Sequence, residues 1–118
     1  MTRLSTHFQR AEFACKCGCG FDTVDIQTLE ILEAVRQHFG KPVTITSGCR
    51  CPNHNRRVGG ASNSQHVFGR AADIQVRGVH PHQVHAWLDA NHPGVSLGRY
   101  STFTHIDTRS NGPGRWGG

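Results

Sequence analysis

No stretch of the sequence approaches the roughly 20 apolar residues that a membrane-spanning helix needs, which excludes stable membrane insertion by a helix. Long basic runs are missing too. Arg3, Arg10, Lys16, Arg36, Lys41, Arg56, Arg57, Arg70 and Arg77 are scattered, so the formal charge of +5 favours anionic partners in general and argues against nucleic acid. Met1-Thr2-Arg3-Leu4 runs directly into polar residues, so no secretory signal is expected. A target outside the cytoplasm would have to be reached after release by some other agent. Paired CxxC knuckles are also lacking. The five cysteines fall into two tight groups, Cys15-Lys16-Cys17-Gly18-Cys19 and Cys49-Arg50-Cys51. An odd count leaves at least one thiol outside any intramolecular pairing, and the spacing signals a structural zinc only weakly. The expectation is one or two disulfides, or reduced thiols, tying the N-terminal segment to the loop after the first strand.

What is present suits one small domain, 1–118, since 118 residues with 36% hydrophobic content can bury one modest core. Residues 1–24 read as an irregular arm with Phe8, Phe13 and Phe21 as anchors. Ile26, Leu29, Leu32 and Val35 then recur at helical spacing, with Glu33 exposed, Asp22 or Thr23 as cap and Gly40 as stop. Val43–Thr46 is a short β-branched strand. Residues 47–65 read as one long loop, a length that is usually functional or disordered. Ala71–Val76 is a second strand and Pro81–Asn91 a helix burying Val84, Trp87 and Leu88. Val95–Tyr100 and Phe103–Thr108 form a closing β pair, and 110–118 is a Gly-rich tail carrying Arg115-Trp116. No internal repeat is visible. The order predicts an α+β fold, a small antiparallel sheet with two or three helices packed on it.

Two segments carry chemistry. In Ser64-Gln65-His66-Val67-Phe68-Gly69-Arg70-Ala71-Ala72-Asp73, a glycine lets the chain turn between a histidine and an aspartate. Strand alternation sends Ala72, Ile74 and Val76 to the core and Asp73 to a cleft beside Ala71 and Gln75. In Phe103-Thr104-His105-Ile106-Asp107-Thr108 the same alternation places His105 and Asp107 on one face. Two imidazoles and one carboxylate on neighbouring strands suit one catalytic zinc ion with a fourth position open to water, the basis of metal-assisted amide hydrolysis. The remaining histidines read as surface residues; His82 and His85 are at i,i+3 spacing but have no carboxylate partner.

The ten-residue segment Ser64-x-His66-x-x-Gly69-x-Ala71-x-Asp73 resembles in full the SxHxxGxAxD signature of the zinc D-alanyl-D-alanine carboxypeptidase/endopeptidase family, in the wider group with hedgehog-type and lysostaphin-type domains. Thr46-Ser47-Gly48-Cys49-Arg50 is similar to the family's TSGYR segment, Asn55-Arg56-Arg57-Val58-Gly59-Gly60 to its N-x-x-VGG stretch, and Phe103–Asp107 to its closing F-x-H-x-D strand. The likeness runs from about Glu12 to Asp107. It implies His66, Asp73 and His105 as zinc ligands, and Arg50 and Ser64 as substrate-binding groups, Arg50 acting close to the scissile bond. It also implies peptidoglycan as the substrate; small size, a basic surface and no visible signal peptide or wall-binding domain suit a monomer made in the cytoplasm and acting on the wall after phage or prophage lysis. An arginine fork suits the carboxylates of wall stem peptides on physical grounds as well.

The match is incomplete at the general base. Many relatives carry a glutamate three residues before the last histidine, where this chain has Thr102, and no glutamate occurs after Glu33. Asp107 is the replacement expected here, either as base or as a carboxylate that orients a ligand histidine. Tyr100 and His54 are further candidates that spacing does not select. Cys49 stands in place of the family's tyrosine and is expected to tie its loop to the N-terminal cysteines. The alternative to an enzyme is a non-catalytic, zinc-stabilised wall-binding module.

Overall fold

The computed structural model describes residues 3–61 and 64–117. Met1, Thr2, Ser62, Asn63 and Gly118, which belong to the expected arm, loop and tail, lie outside the described residues. Three helices, α1 (Ile26–Phe39), α2 (Pro52–Arg57) and α3 (Pro81–Asn91), accompany five strands, β1 (Val43–Ser47), β2 (Ala71–Val76), β3 (Ser96–Arg99), β4 (Thr104–Asp107) and β5 (Arg115–Gly117). They form one sheet in the order β1-β2-β4-β3-β5. The first four strands pair antiparallel as expected, while β5 adds to β3 in parallel and makes the sheet mixed. No helix among the described residues is long and apolar enough to cross a membrane.

Alternation in β2 works as the pattern requires: Ala72, Ile74 and Val76 enter the core. There they meet Leu32 and Val35 of α1, Val84 and Leu88 of α3, Leu97 of β3 and Ile106 of β4. Leu32, Leu88, Leu97 and Ile106 are wholly buried, and truncating any one to alanine would cost about 2–5 kcal/mol. Helix α1 departs from expectation in two details. Its buried stripe is Thr28, Leu32 and Val35, whereas Ile26 is 74% exposed. Ile26 lies two residues from Thr28, roughly 200° round the helix, and so misses the stripe. The cap is Asp25, not Asp22 or Thr23: its carboxylate accepts from Thr28 N at 3.0 Å and from Thr108 Oγ1 at 2.8 Å, joining helix start to sheet end. Gly40 ends the helix in the left-handed conformation.

The arm is held by Phe8 and Phe13, both buried, and by Glu33. Glu33 was expected on the exposed side of α1 but is half-buried under the arm, accepting from Ser5 Oγ and, at 2.7 Å each, from His7 N and His7 Nδ1. Burial alone would raise its pKa; those hydrogen bonds outweigh burial and lower it.

The segment expected as a plain loop, 47–65, holds α2, and the 3₁₀ turn Gln65–Phe68 begins at its last residue. Pro52 opens α2 and the Cys51 thiol caps it, accepting from His54 N at 3.4 Å. A sulfur cap is not among the usual start signals, and so the helix was invisible in the sequence. All five cysteines are free thiols.

Candidate metal centre

Register in the sheet brings the first two donors together. Asp73 of β2 sits directly opposite His105 of β4, and His105 Nδ1 lies 2.8 Å from Asp73 Oδ1. The third donor, His66, arrives on the 3₁₀ turn before β2. Ser64 caps that turn, its Oγ accepting from His66 N at 3.3 Å, and Gly69 ends it at φ 69°. A side chain at Gly69 would be strained there and would press within 2.9 Å of Thr23. His66 Nε2 stands 3.3 Å from Asp73 Oδ1, and one donor atom from each of the three residues falls within 4.8 Å of the others.

Both imidazoles are held from behind. His66 Nδ1 donates to Gly48 O at 2.6 Å, and since a carbonyl only accepts, Nε2 is left with its lone pair toward the centre. Gly48 also lets the arm pack closely here, since a Cβ there would lie 2.5 Å from Phe13 O. His105 Nε2 donates to Asp107 Oδ2 at 2.7 Å, which leaves Nδ1 for an ion. Fixed tautomers, a carboxylate behind one imidazole and a second carboxylate between the two rings fit zinc by the chemistry of the donor set. Burial alone would raise the pKa of Asp73, but hydrogen bonds with His105 and His66 hold it at about 2. Burial lowers that of His105, and Asp107 and Asp73 reverse the effect, so that it is raised overall.

The donors open into a cleft of about 430 Å³ lined also by Arg50, Ser64, Tyr100, Phe103, Arg109 and Trp116. Arg50 is anchored through its backbone N to His66 O at 2.9 Å and through Nη1 to Asn55 Oδ1 at 3.2 Å, with Nη2 3.8 Å from Asp73 Oδ2. Asn55 is buried and its amide donates in turn to Ala61 O at 2.7 Å, so one side chain braces both ends of the loop. Tyr100 and Phe103 stack at 4.4 Å, and Tyr100 Oη accepts from Trp116 Nε1 at 2.9 Å.

Asp107 shares its strand face with His105, as alternation requires, but lies deeper and is not among the described residues lining the cleft. It is fully buried and gripped by Arg109, with Nε 2.8 Å from Oδ1 and Nη2 2.7 Å from Oδ2. Burial alone would raise its pKa, and the bonds with Arg109 and His105 bring it well below the usual carboxylate range. Thr102 is turned elsewhere, its carbonyl accepting from Gln75 Nε2 at 2.9 Å, and His54 is not among the cleft residues. Cys49 ties its loop to the arm without a partner cysteine: its thiol donates to Phe13 O at 3.1 Å and Phe21 O at 3.0 Å.

Arg109 and Trp116 escaped the sequence reading. Arg109 stacks over Trp116 with its guanidinium carbon 5.0 Å from the ring centroid, and Trp116 lies 5.1 Å from the His105 ring. The Asp107-x-Arg109 spacing, two residues apart at a strand end, was the available signal for the first. Trp116 had none, because its strand is built from a Gly-rich tail.

Two imidazoles and a carboxylate converging at the floor of an open cleft make a mononuclear metallohydrolase type of centre. The chain belongs to the Peptidase M15 family, whose model matches residues 6–107, a span that includes all three donors. Over 48 residues it is 48% identical to the zinc D-Ala-D-Ala carboxypeptidase of Streptomyces albus G. That stretch is 40% of this chain and only 19% of the relative, so the chain spans about a fifth of that protein's length.

Proposed function

We propose that the protein is a zinc peptidase that hydrolyses peptide bonds in the stem peptides or cross-links of bacterial peptidoglycan, in the manner of a phage or prophage endolysin. The observation that carries this reading is the convergence of His66, Asp73 and His105 at the floor of a cleft whose rim holds Arg50. Zinc bound there supplies Lewis acidity, polarising a carbonyl and making water a nucleophile near neutral pH. Arg50 receives a substrate carboxylate through its guanidinium fork, and its bonds to Asn55 and to the backbone of His66 set that fork beside the donors. Tyr100, Phe103 and Trp116 also line the cleft and give apolar surface to the substrate backbone. Ser64 serves chiefly by shaping the turn that presents His66. Asp107 holds the His105 ring with Nδ1 toward the ion, a positioning role supported by its burial and by the Arg109 fork. The net charge of +5 favours approach to an anionic wall polymer.

A second reading, a zinc-stabilised wall-binding module without activity, draws support from one observation: Asp73 is the only carboxylate among the described residues lining the cleft. Incubating the zinc-loaded protein with isolated sacculi and analysing muropeptides by mass spectrometry separates the two. New amino or carboxyl termini identify a peptidase and the bond it cuts; sacculi that are bound but uncut establish the binding module.

A further inference from the structure

Four cysteines that the cleft does not use meet at one point on the arm side of the molecule. We propose that Cys15, Cys17, Cys19 and Cys51 bind a second, structural zinc ion that clamps the N-terminal arm to the loop carrying Arg50. Their Sγ atoms all lie within 4.8 Å of one another, with Cys15–Cys17 at 3.5 Å and Cys17–Cys51 at 3.6 Å. Four thiolates about 2.3 Å from a tetrahedral zinc stand roughly 3.8 Å apart, close to those two separations and inside the limit that all four sulfurs meet. Disulfides would draw the sulfurs into two separate pairs and would have no need of a common centre.

The surrounding backbone supports thiolates independently of that spacing. Cys51 N–H points at Cys15 Sγ at 3.4 Å and His54 N–H at Cys51 Sγ at 3.4 Å, two donors aimed at sulfur. Gly18 and Gly20 at φ 81° and 92° turn the chain so that Cys17 and Cys19 join Cys15 on one side. The fifth cysteine, Cys49, is excluded, since it is buried with its thiol committed to the carbonyls of Phe13 and Phe21. The odd count therefore resolves as four ligands and one core thiol. Four soft sulfur donors select zinc over the hard cations magnesium and calcium. Cys19 is exposed and Cys17 and Cys51 half-exposed, so the site lies at the surface where an ion can enter. Cys51 is both a ligand and the cap of α2, and it directly follows Arg50. The ion would thereby fix the loop that presents the substrate-binding arginine.

The test is a metal and thiol count on the full chain purified with zinc under reducing conditions, repeated with cobalt(II). The expected result is two ions per chain in the wild type and one in each of His66→Ala and Cys19→Ser. Cobalt-loaded His66→Ala should keep the sulfur-to-metal charge-transfer bands in the near ultraviolet, and Cys19→Ser should lose them. Denaturation with a chelator should release all five thiols. One ion in the wild type with no such bands in His66→Ala would overturn the proposal. Should Cys19→Ser fail to fold, the His66→Ala spectrum still reads the site. The proposal does not rest on the peptidase reading: uncut sacculi would leave the charge-transfer bands unchanged, and absent bands would leave cleavage intact to be measured.

Discussion

The two donor clusters are built in opposite ways. Asp73 and His105 stand on adjacent central strands, paired in register above a packed core. The four cysteines come from an arm and from a loop more than 30 residues further along the chain, on backbone shaped by glycine turns. Cleft donors are fixed by the ladder and by hydrogen bonds from behind, so their geometry does not depend on an ion. Arm donors have no ladder beneath them, only two backbone N–H groups and one another, and there an ion would add order in place of occupying it. A chelated protein should therefore keep hydrogen-exchange protection in β2 and β4 while losing it between residues 10 and 20. Equal loss in both regions would remove the contrast.

The sharpest break on the cleft side is removal of a ligand. His105→Ala should lower turnover on sacculi on the order of 10⁴-fold or more with the circular dichroism spectrum retained; a variant with near-normal turnover would show that the cluster is not the active centre. Arg50→Ala should cost about 10²–10³-fold in kcat/KM, as when one oriented donor is lost, and Arg50→Lys should recover little because an ammonium lacks the fork. Asp107→Asn should lower zinc affinity or activity about 10–100-fold. A much larger fall in turnover at unchanged zinc affinity would instead make Asp107 the general base.

The smallest effect belongs to the arm. Glu33→Gln should destabilise the fold by about 1 kcal/mol, the net scale of one ordinary hydrogen bond. Because the folded-state pKa of Glu33 is lowered by Ser5 and His7, its contribution is complete above the ordinary carboxylate pKa and is lost as pH falls through the folded value. Thermal melts of wild type and variant should then converge on acidification. A gap that stays constant with pH would show that the charge of Glu33 does not hold the arm.

What the sequence made legible follows the same division. The Ser64–Asp73 segment and the Phe103–Asp107 strand are local patterns with fixed periodicity, and strand alternation alone put Asp73 on the cleft face, His105 beside Asp107, and Ala72, Ile74 and Val76 inside. Helix α1 was visible by its spacing, apart from Ile26 and the identity of its cap. Features that depend on distant contacts were not visible. A thiol cap hides α2, pairing with β3 makes a strand of the Gly-rich tail, and convergence of Cys51 with Cys15, Cys17 and Cys19 requires the fold to exist first. Asp107 was placed on the correct face, yet its depth behind His105 and its grip by Arg109 emerge only in three dimensions.

Strand β5 carries Trp116, which leans on the His105 ring and is hydrogen-bonded to Tyr100. A tag or partner that continued the chain in the direction of β5 would emerge next to the mouth of the cleft, where the proposed substrate enters. Fusions intended to leave the enzyme unhindered therefore belong at the opposite terminus.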